Sequence, residues 1–246
     1  MKILTTLSAL FIIGGSIGWI LELFYRRIAH GKWINPGFLT GPCLPLYGSG
    51  VLLLYGFCSL NFSFISSSAL RNTAKIILLT IMLSGIEYIT GLIFTKIFHV
   101  KLWDYSTRPG NIQGIICPLF SVIWGAVGAI YMFLLHPHFV GFINWLSDNP
   151  LYNFFFGMYM GVFIVDVCYS FHIVTKIKKF AEEEKLLIRY ENLKLNIANR
   201  AESLKAKKNF AFPFRNASNL REELEHYISE LREKGIQKFS ANAKKK

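Results

Sequence analysis

The chain has 246 residues and a formal net charge of +12 at pH 7, and 52% of its residues are hydrophobic while 17% are charged. Ordinary soluble domains carry about 25% charged residues, so this composition, with a mean hydropathy of +0.37, excludes an ordinary soluble protein. The four cysteines form no C-x-x-C pair, which excludes a zinc ribbon.

Five apolar segments predict transmembrane helices, because a bilayer core of roughly 30 Å needs about 20 residues per helix. They cover residues 4–25, 42–60, 76–98, 115–135 and 151–174. The second segment is the weakest, since Pro45, Gly48 and Gly50 interrupt its start. The first is expected to span the membrane and not to be a signal peptide, because it contains Glu22 and no small-residue cleavage site ends it. We therefore predict an all-α membrane protein with a transmembrane domain over residues 1–179.

Basic residues in short loops predict the orientation, because they favour the cytoplasmic side. The loops and helix ends after the first, third and fifth segments carry most of them: Arg26, Arg27, Lys32, Lys101, Arg108, Lys176, Lys178 and Lys179. The other side holds Lys2, Arg71 and Lys75. We expect a multi-pass protein of the cell membrane, with its N-terminus outside and its C-terminus in the cytoplasm.

Two stretches of the chain are similar to each other, and each places a Glu in an apolar helix before an irregular loop. Glu22 and Glu87 are the two acids, and Asn35 and Asn111 lie at comparable places in the loops that follow. Duplication of this kind is typical of membrane proteins that build one site from two repeats. The pattern predicts two parallel helix–loop–helix repeats followed by a fifth helix.

The acids predict a site, because a carboxylate in hydrocarbon is costly and needs a partner or a purpose. Glu87 lies nine residues before Lys96, or about 13 Å from that end of its helix. We predict a pocket that opens to the cytoplasm and binds a small polar or cationic ligand. Its ligand-binding candidates are Glu22, Glu87, Asn35, Asp104 and Asn111, and its supporting residues are Trp103, Tyr105, Tyr47, Arg26 and Asp166.

Structural roles are the alternatives for the same residues. Glu22 can pair with Arg26 one helical turn later. Glu87 or Asp166 can be uncharged and hydrogen-bonded to a neighbouring Tyr or Trp, because burial disfavours the charged form. As a structural residue, Asp104 can cap a turn. Its functional role would instead be to meet Arg26, Arg27 or Arg108 and so lock the two loops over the carboxylates.

The last segment, residues 180–246, predicts a basic cytoplasmic tail with two amphipathic helices. Its apolar residues form two stripes, of which the first is heptad-like: Leu186, Tyr190, Leu193, Ile197 and Leu204, then Leu220, Leu224, Tyr227 and Leu231. Self-association as a coiled coil, docking on the loops, or contact with the membrane surface would each bury them. The tail has no nucleic-acid-binding motif, so its expected partners are the bilayer, a cytoplasmic protein or a second copy of the chain.

Several ordered motifs carry a resemblance to a known family. The first block reads Gly18-Trp19-Ile20-Leu21-Glu22 and Asn35-Pro36-Gly37-Phe38-Leu39-Thr40-Gly41-Pro42-Cys43-Leu44-Pro45-Leu46-Tyr47-Gly48. The second reads Glu87-Tyr88, Trp103-Asp104-Tyr105-Ser106 and Asn111-Ile112-Gln113-Gly114. With these motifs, approximately residues 14–130 resemble the bacterial family of putative ABC-transporter permeases, type IV. The family usually has Arg after the last glycine, where this chain has Ile115.

The resemblance implies a role in transport. The chain lacks the G-x-x-x-x-G-K-[ST] motif, so an ATPase that drives transport has to be a separate protein. Two other functions stay open, namely a scaffold that recruits a partner through its tail and a membrane enzyme that acts on lipid or envelope precursors. Neither H-E-x-x-H nor G-x-S-x-G occurs, and His136 with His138 supplies too few ligands for a metal. An enzymatic function is therefore less favoured than transport but stays open, and we expect no cofactor or metal.

Overall fold

The computed structural model describes residues 2–203, 214 and 220–233. The long helices follow the apolar segments, and short connections separate them. In chain order the elements are α1 (Lys2–His30), α2 (Pro45–Cys58), α3 (Ser68–Lys96), β1 (Val100–Lys101), α4 (Pro118–Ile130), a π-helical turn (Tyr131–Leu135), α5 (His136–Asp148), α6 (Tyr152–Glu183), β2 (Ile188–Arg189), α7 (Tyr190–Ser203) and α8 (Leu220–Glu233).

Within the described residues, four helical segments are long and apolar enough to cross a membrane: Ile3–His30, Ser68–Lys96, Pro118–Asp148 and Tyr152–Glu183. The chain is thus a mostly helical, multi-pass membrane protein. The predicted span over residues 42–60 forms α2, whose 14 residues extend about 21 Å at 1.5 Å per residue. That is less than the thickness of the bilayer core, so the fifth span stays a prediction. The two repeats and the orientation of the termini also stay predictions.

Pro137 explains the π-helical turn inside the third long segment. Proline has no backbone N–H and its ring clashes with the carbonyl four residues earlier. The chain widens by one residue before it, so that the N–H of His136 donates to the carbonyl of Tyr131, five residues back. Helix therefore continues through Pro118–Asp148 instead of ending at the proline.

Glycines allow α1 and α2 to approach each other closely. A Cβ atom built on Gly14 would lie 2.6 Å from Cγ2 of Val51, and one built on Gly18 would overlap the ring of Tyr47. On the α2 side, a Cβ on Gly48 would lie 2.6 Å from the carbonyl oxygen of Phe11. Small residues at such spacing are common where membrane helices pack, because they bring the backbones into van der Waals contact.

The chain divides into two compact units. The first comprises Met1–Trp19, Cys43–Thr90 and Tyr105–Ile164, and the second comprises Ile20–Pro42, Gly91–Asp104 and Val165–Lys246. The first unit buries a small cluster around Leu54, Leu79, Leu83 and Tyr131.

The second unit holds the larger apolar core, which includes both stripes of the tail. Buried members from three parts of this unit are Phe94, Val100, Ile173, Val174, Ile177, Phe180, Ala181, Leu186, Ile188, Tyr190, Leu193, Ile197, Leu224, Tyr227 and Ile228. Burial of Ile177, Phe180 and Ala181 explains why α6 continues to Glu183, beyond the predicted end of the span at residue 174. Leu204 lies outside the described residues.

A parallel pairing of β1 with β2 also fixes the tail within the second unit. Val100 is opposite Ile188, and Lys101 is opposite Arg189. Of the three ways to bury the tail stripes, docking on the loops is therefore the one observed in this unit, and self-association as a coiled coil stays a prediction.

Candidate functional site

Glu87 is a buried carboxyl group in the first unit, with 2% of its surface exposed. The hydroxyl of Tyr105 donates to Oε1 at 3.2 Å, and Nε1 of the Trp124 indole donates to Oε2 at 2.9 Å. Trp124 is placed by α4, which begins at Pro118, a residue suited to the first helical turn. The alternative predicted from the sequence, in which Tyr and Trp donate to a buried carboxyl, describes these contacts of Glu87.

Aromatic rings surround the donors of Glu87. Tyr105 stacks on Phe120 with ring centroids 4.3 Å apart, and Tyr47 lies 5.5 Å from Trp124. Tyr47 and Trp124 also line an apolar cavity of about 50 Å³. Its other lining residues are Leu46, Gly50, Val51, Leu54, Leu83, Ile86 and Val127. The hydrogen bond from Trp124 connects the Glu87 carboxyl group to one wall of this cavity, and a carboxyl group inside a membrane-spanning segment has the chemistry to attract a proton or a cation.

Asn111 closes a loop in the same unit. Its amide donates to the carbonyl of Ser106 at 3.2 Å and to that of Arg108 at 2.8 Å. Its Oδ1 accepts from the N–H of Gly114 at 2.9 Å. These bonds hold the segment between Tyr105 and α4 in place, so the observed role of Asn111 is to shape the loop that carries Tyr105.

Asp166 has a comparable holding role in the second unit. Its carboxylate accepts from the backbone N–H of Thr40 at 3.0 Å, from that of Gly41 at 2.8 Å and from the hydroxyl of Ser170 at 3.1 Å. A carboxylate with three donors is well satisfied. Asp166 therefore ties α6 to the loop between α1 and α2.

Asn35 shapes that loop from within. The buried amide donates to the carbonyl of Leu39 at 3.2 Å and to that of Thr40 at 2.7 Å. Gly37, between these residues, has a φ of +69°, a conformation that glycine adopts without steric cost. Asn35 thus binds the carbonyl of Thr40 and Asp166 binds its N–H, and both contacts fix the path of the loop.

Arg26 and Glu191 link α1 to α7. The guanidinium of Arg26, which is 8% exposed, forms an ion pair with Glu191, and its Nε lies 3.7 Å from Glu22. Nε2 of His30 lies 2.8 Å from the same oxygen of Glu191. The i, i+4 pair of Glu22 with Arg26, expected as the structural alternative, is present.

Lys194 of α7 is the most deeply buried cation near this loop, with 4% of its surface exposed. Its amine donates to the carbonyl of Asn35 at 3.0 Å and to that of Gly37 at 2.7 Å. Burial first, and then the nearby charge of Arg26, lower the pKa of Lys194 to about 7, although Glu191 and Asp166 act in the opposite direction. The amine thus loses much of its charge close to neutral pH.

Asp104 joins the β1 loop to the tail. It pairs with Nζ of Lys101 at 2.9 Å and with Arg189 of β2 at 2.9 Å. Trp103 precedes it and is half-buried. These two partners, Lys101 and Arg189, were not among the three arginines that the sequence suggested for Asp104.

The candidate residues therefore form two groups. In the first unit, Glu87, Tyr105 and Tyr47 lie around Trp124, and Asn111 supports the loop. In the second unit, Glu22 with Arg26, and Asn35 with Asp166, form connected contacts, and Asp104 binds the tail. The shared pocket predicted from the sequence stays a prediction.

Sequence reasoning missed several residues that the structure places at these sites. Trp124 lies in an apolar helix, where an aromatic residue is normally core. Glu191 and Lys194 lie in a charged tail, where a solvated face is the common interpretation. No local signal marked Lys194, because a residue that directly follows a buried helical position normally lies on a different face of the helix.

The chain matches the model of a known protein family. A family model described as "Putative ABC-transporter type IV" matches residues 9–171, which is more than half of the chain and includes Glu22, Glu87 and Asp166. No curated protein and no solved structure matches the chain.

Proposed function

Because this chain belongs to the putative ABC-transporter type IV family, we propose that it is the membrane-spanning component of a transport system. The four long apolar segments fit such a role. A P-loop is missing from the sequence, so the energy would come from a separate ATPase.

The proposed ligand site is centred on Glu87, and the observation that carries it is the burial of this carboxyl group beside an apolar cavity. Glu87 lies inside a membrane-spanning segment and accepts from Trp124, which is also a wall of the cavity. An ionisable group at such a position is by default a functional candidate, because its burial is costly. The ligand class is a small polar or cationic molecule, since a carboxylate attracts positive charge.

Replacement of Glu87 by Gln tests this proposal, because the amide keeps the shape of the side chain but not its charge. Membrane vesicles with equal amounts of protein would be screened for uptake of labelled methylammonium, choline and putrescine. We expect uptake of at least one probe to fall at least about 10-fold in Glu87→Gln, which corresponds to roughly 1.4 kcal/mol or more. Tyr105→Phe, which removes one donor and keeps the charge, should reduce uptake less.

A covalent readout supports the same test without a known ligand. A hydrophobic carbodiimide reacts with a carboxyl group in apolar surroundings whenever that group takes up a proton. A carboxylate that binds a proton or a cation in turn should therefore carry the label, and we expect mass spectrometry to find it on Glu87. Glu22→Gln is the matched control, because it leaves Glu87 in place and should keep the label. Normal uptake by Glu87→Gln would contradict the proposed site, and failure of that variant to accumulate would give Glu87 a structural role.

The scaffold alternative places partner binding on the tail. In the second unit the apolar stripes of α7 and α8 are buried, so a partner would meet charged side chains such as Arg221 and Glu225 on the exposed face of α8. Deletion of the whole tail would remove Leu224, Tyr227 and Ile228 from the core, so it would damage the unit as well as any partner site.

A further inference from the structure

The buried amine of Lys194 helps to fasten α7 to the loop between α1 and α2. Lys194 donates to the carbonyls of Asn35 and Gly37 at 3.0 and 2.7 Å, and its Nζ lies 4.6 Å from the centre of the Tyr190 ring. The Tyr190 hydroxyl in turn donates to the carbonyl of Phe38 at 3.4 Å. An uncharged amine has two N–H groups, which is the number that these two carbonyls accept.

Burial and the charge of Arg26 disfavour the charged form of this amine, whereas the ring of Tyr190 and the acids Glu191 and Asp166 favour it. Arg26 is buried in the same cluster, and its charge repels an ammonium group. The charged and titratable side chains of the cluster are Glu22, Arg26 and His30 of α1, Lys32 of the loop, Asp166 and Tyr169 of α6, and Tyr190 and Glu191 of α7. Burial raises the pKa of Tyr190, so its phenol stays protonated around neutral pH. Burial of Lys194 and the nearby Arg26 outweigh Glu191 and Asp166.

We propose that α7 is a pH-sensitive latch, which holds the loop over residues 31–42 more tightly when Lys194 gives up its proton. The two hydrogen bonds persist in the neutral amine, while the cost of burying a charge next to Arg26 disappears. The latch connects the tail to the loop that Asp166 also holds, so its state affects the path of that loop. This inference does not depend on the identity of the transported ligand.

The direction of the pH effect follows from proton linkage. Lys194 has a pKa of about 7 when α7 is attached, and near its ordinary 10.5 when α7 is released into water. Between these values the released state binds more protons, so a rise in pH favours the attached state. Below about pH 7 the amine is protonated in both states, and the attachment is at its weakest.

Hydrogen exchange of the full-length protein in lipid nanodiscs tests the latch. After correction for the pH dependence of intrinsic exchange, we expect protection of the amides of α7 to rise on the order of 10- to 100-fold from pH 6 to pH 9. Amides of α3 serve as the internal reference and should show no such change. Equal protection of α7 at both pH values would overturn the proposal.

Variants assign the effect to Lys194. In Lys194→Met, which keeps the length of the side chain without its charge, α7 should be protected equally at pH 6 and pH 9. Lys194→Arg, which stays charged throughout, should give low protection of α7 at both pH values. If the Met variant does not fold, this result alone assigns the pH effect to Lys194. Lys176→Met, at an exposed position, should behave like the unmodified protein.

His30 needs a separate control, because histidine also changes charge near neutral pH. Nε2 of its ring lies 2.8 Å from Oε1 of Glu191, so His30→Gln removes the imidazole from the link between α1 and α7 and leaves Lys194 in place. His30→Gln should therefore keep the rise in protection. Loss of the rise in His30→Gln, or its persistence in Lys194→Met, would contradict the role of Lys194.

Discussion

Asp166 and Glu87 both carry a carboxyl group inside a membrane-spanning segment, but their contacts differ. Asp166 binds two backbone N–H groups of the loop and one hydroxyl, so its contacts explain its presence without a ligand. Both oxygens of Glu87 also have donors, but these belong to aromatic side chains, and one of them lines a cavity. Glu87 is therefore the stronger candidate for ligand binding, and Asp166 the stronger candidate for structural support.

Substitution of Asp166 by Asn tests the structural assignment. The amide keeps one acceptor oxygen but turns an NH₂ group toward a backbone N–H, which leaves one donor unsatisfied. We expect the variant to lose about 1–3 kcal/mol of stability, the usual effect of an unpaired polar group, and to melt at a lower temperature in detergent.

Asp148→Asn is the matched control for this measurement, because Asp148 is exposed at the end of α5. The melting temperature of this variant should equal that of the unmodified protein. An Asp166→Asn variant with normal stability and no uptake would instead place Asp166 at the ligand site.

Among the elements, α1 and α2 depend on glycines at their contact. The ring of Tyr47 lies against Gly18, and the same ring faces Trp124, the donor to Glu87. The helix contact thus positions the aromatic wall of the proposed site. A substitution at Gly18 should therefore alter the aromatic surroundings of Glu87, although the two residues lie on different helices.

Gly18→Ala should destabilise the protein by about 1–3 kcal/mol, because the added methyl group overpacks the contact with Tyr47. Gly56→Ala in α2 is the control, since nothing lies within 4 Å of its Cβ position, and it should be neutral or stabilising by up to about 1 kcal/mol. Thermal unfolding of both variants measures the difference. A double variant with Tyr47→Leu should recover part of the loss at Gly18, and equal stability of the two single variants would contradict the packing argument.

The sequence predicted those parts of the structure that depend on local composition. The long helices α1, α3 and α6 follow from apolar runs, and Glu87 and Asp166 are conspicuous because they interrupt those runs. Contacts between distant residues were out of reach, such as those of Arg26 with Glu191 and of Asn35 with Lys194. A polar helix such as α7 has no local pattern that distinguishes a solvated charge from a buried one.

For the whole molecule, the helix ends decide how often the chain crosses the membrane. The C-terminal ends of α1, α3 and α6 all belong to the second unit, so we expect them on one side of the bilayer. Because α3 crosses the membrane, its beginning lies on the opposite side from the end of α1. The intervening chain, which contains α2, therefore has to cross as well, and we predict five crossings although α2 covers only about 21 Å.

Single cysteines in a chain whose four native cysteines are replaced by Ser test this topology. Lys32→Cys lies before α2 and Thr107→Cys lies after α3. Both should be protected from a membrane-impermeant maleimide in intact cells and become labelled after permeabilisation, because the basic residues predict that both loops face the cytoplasm. Ser66→Cys, between α2 and α3, should be labelled in intact cells. If α2 does not cross, Lys32→Cys and Ser66→Cys will react on the same side and Thr107→Cys on the other, and the five-crossing prediction will be wrong.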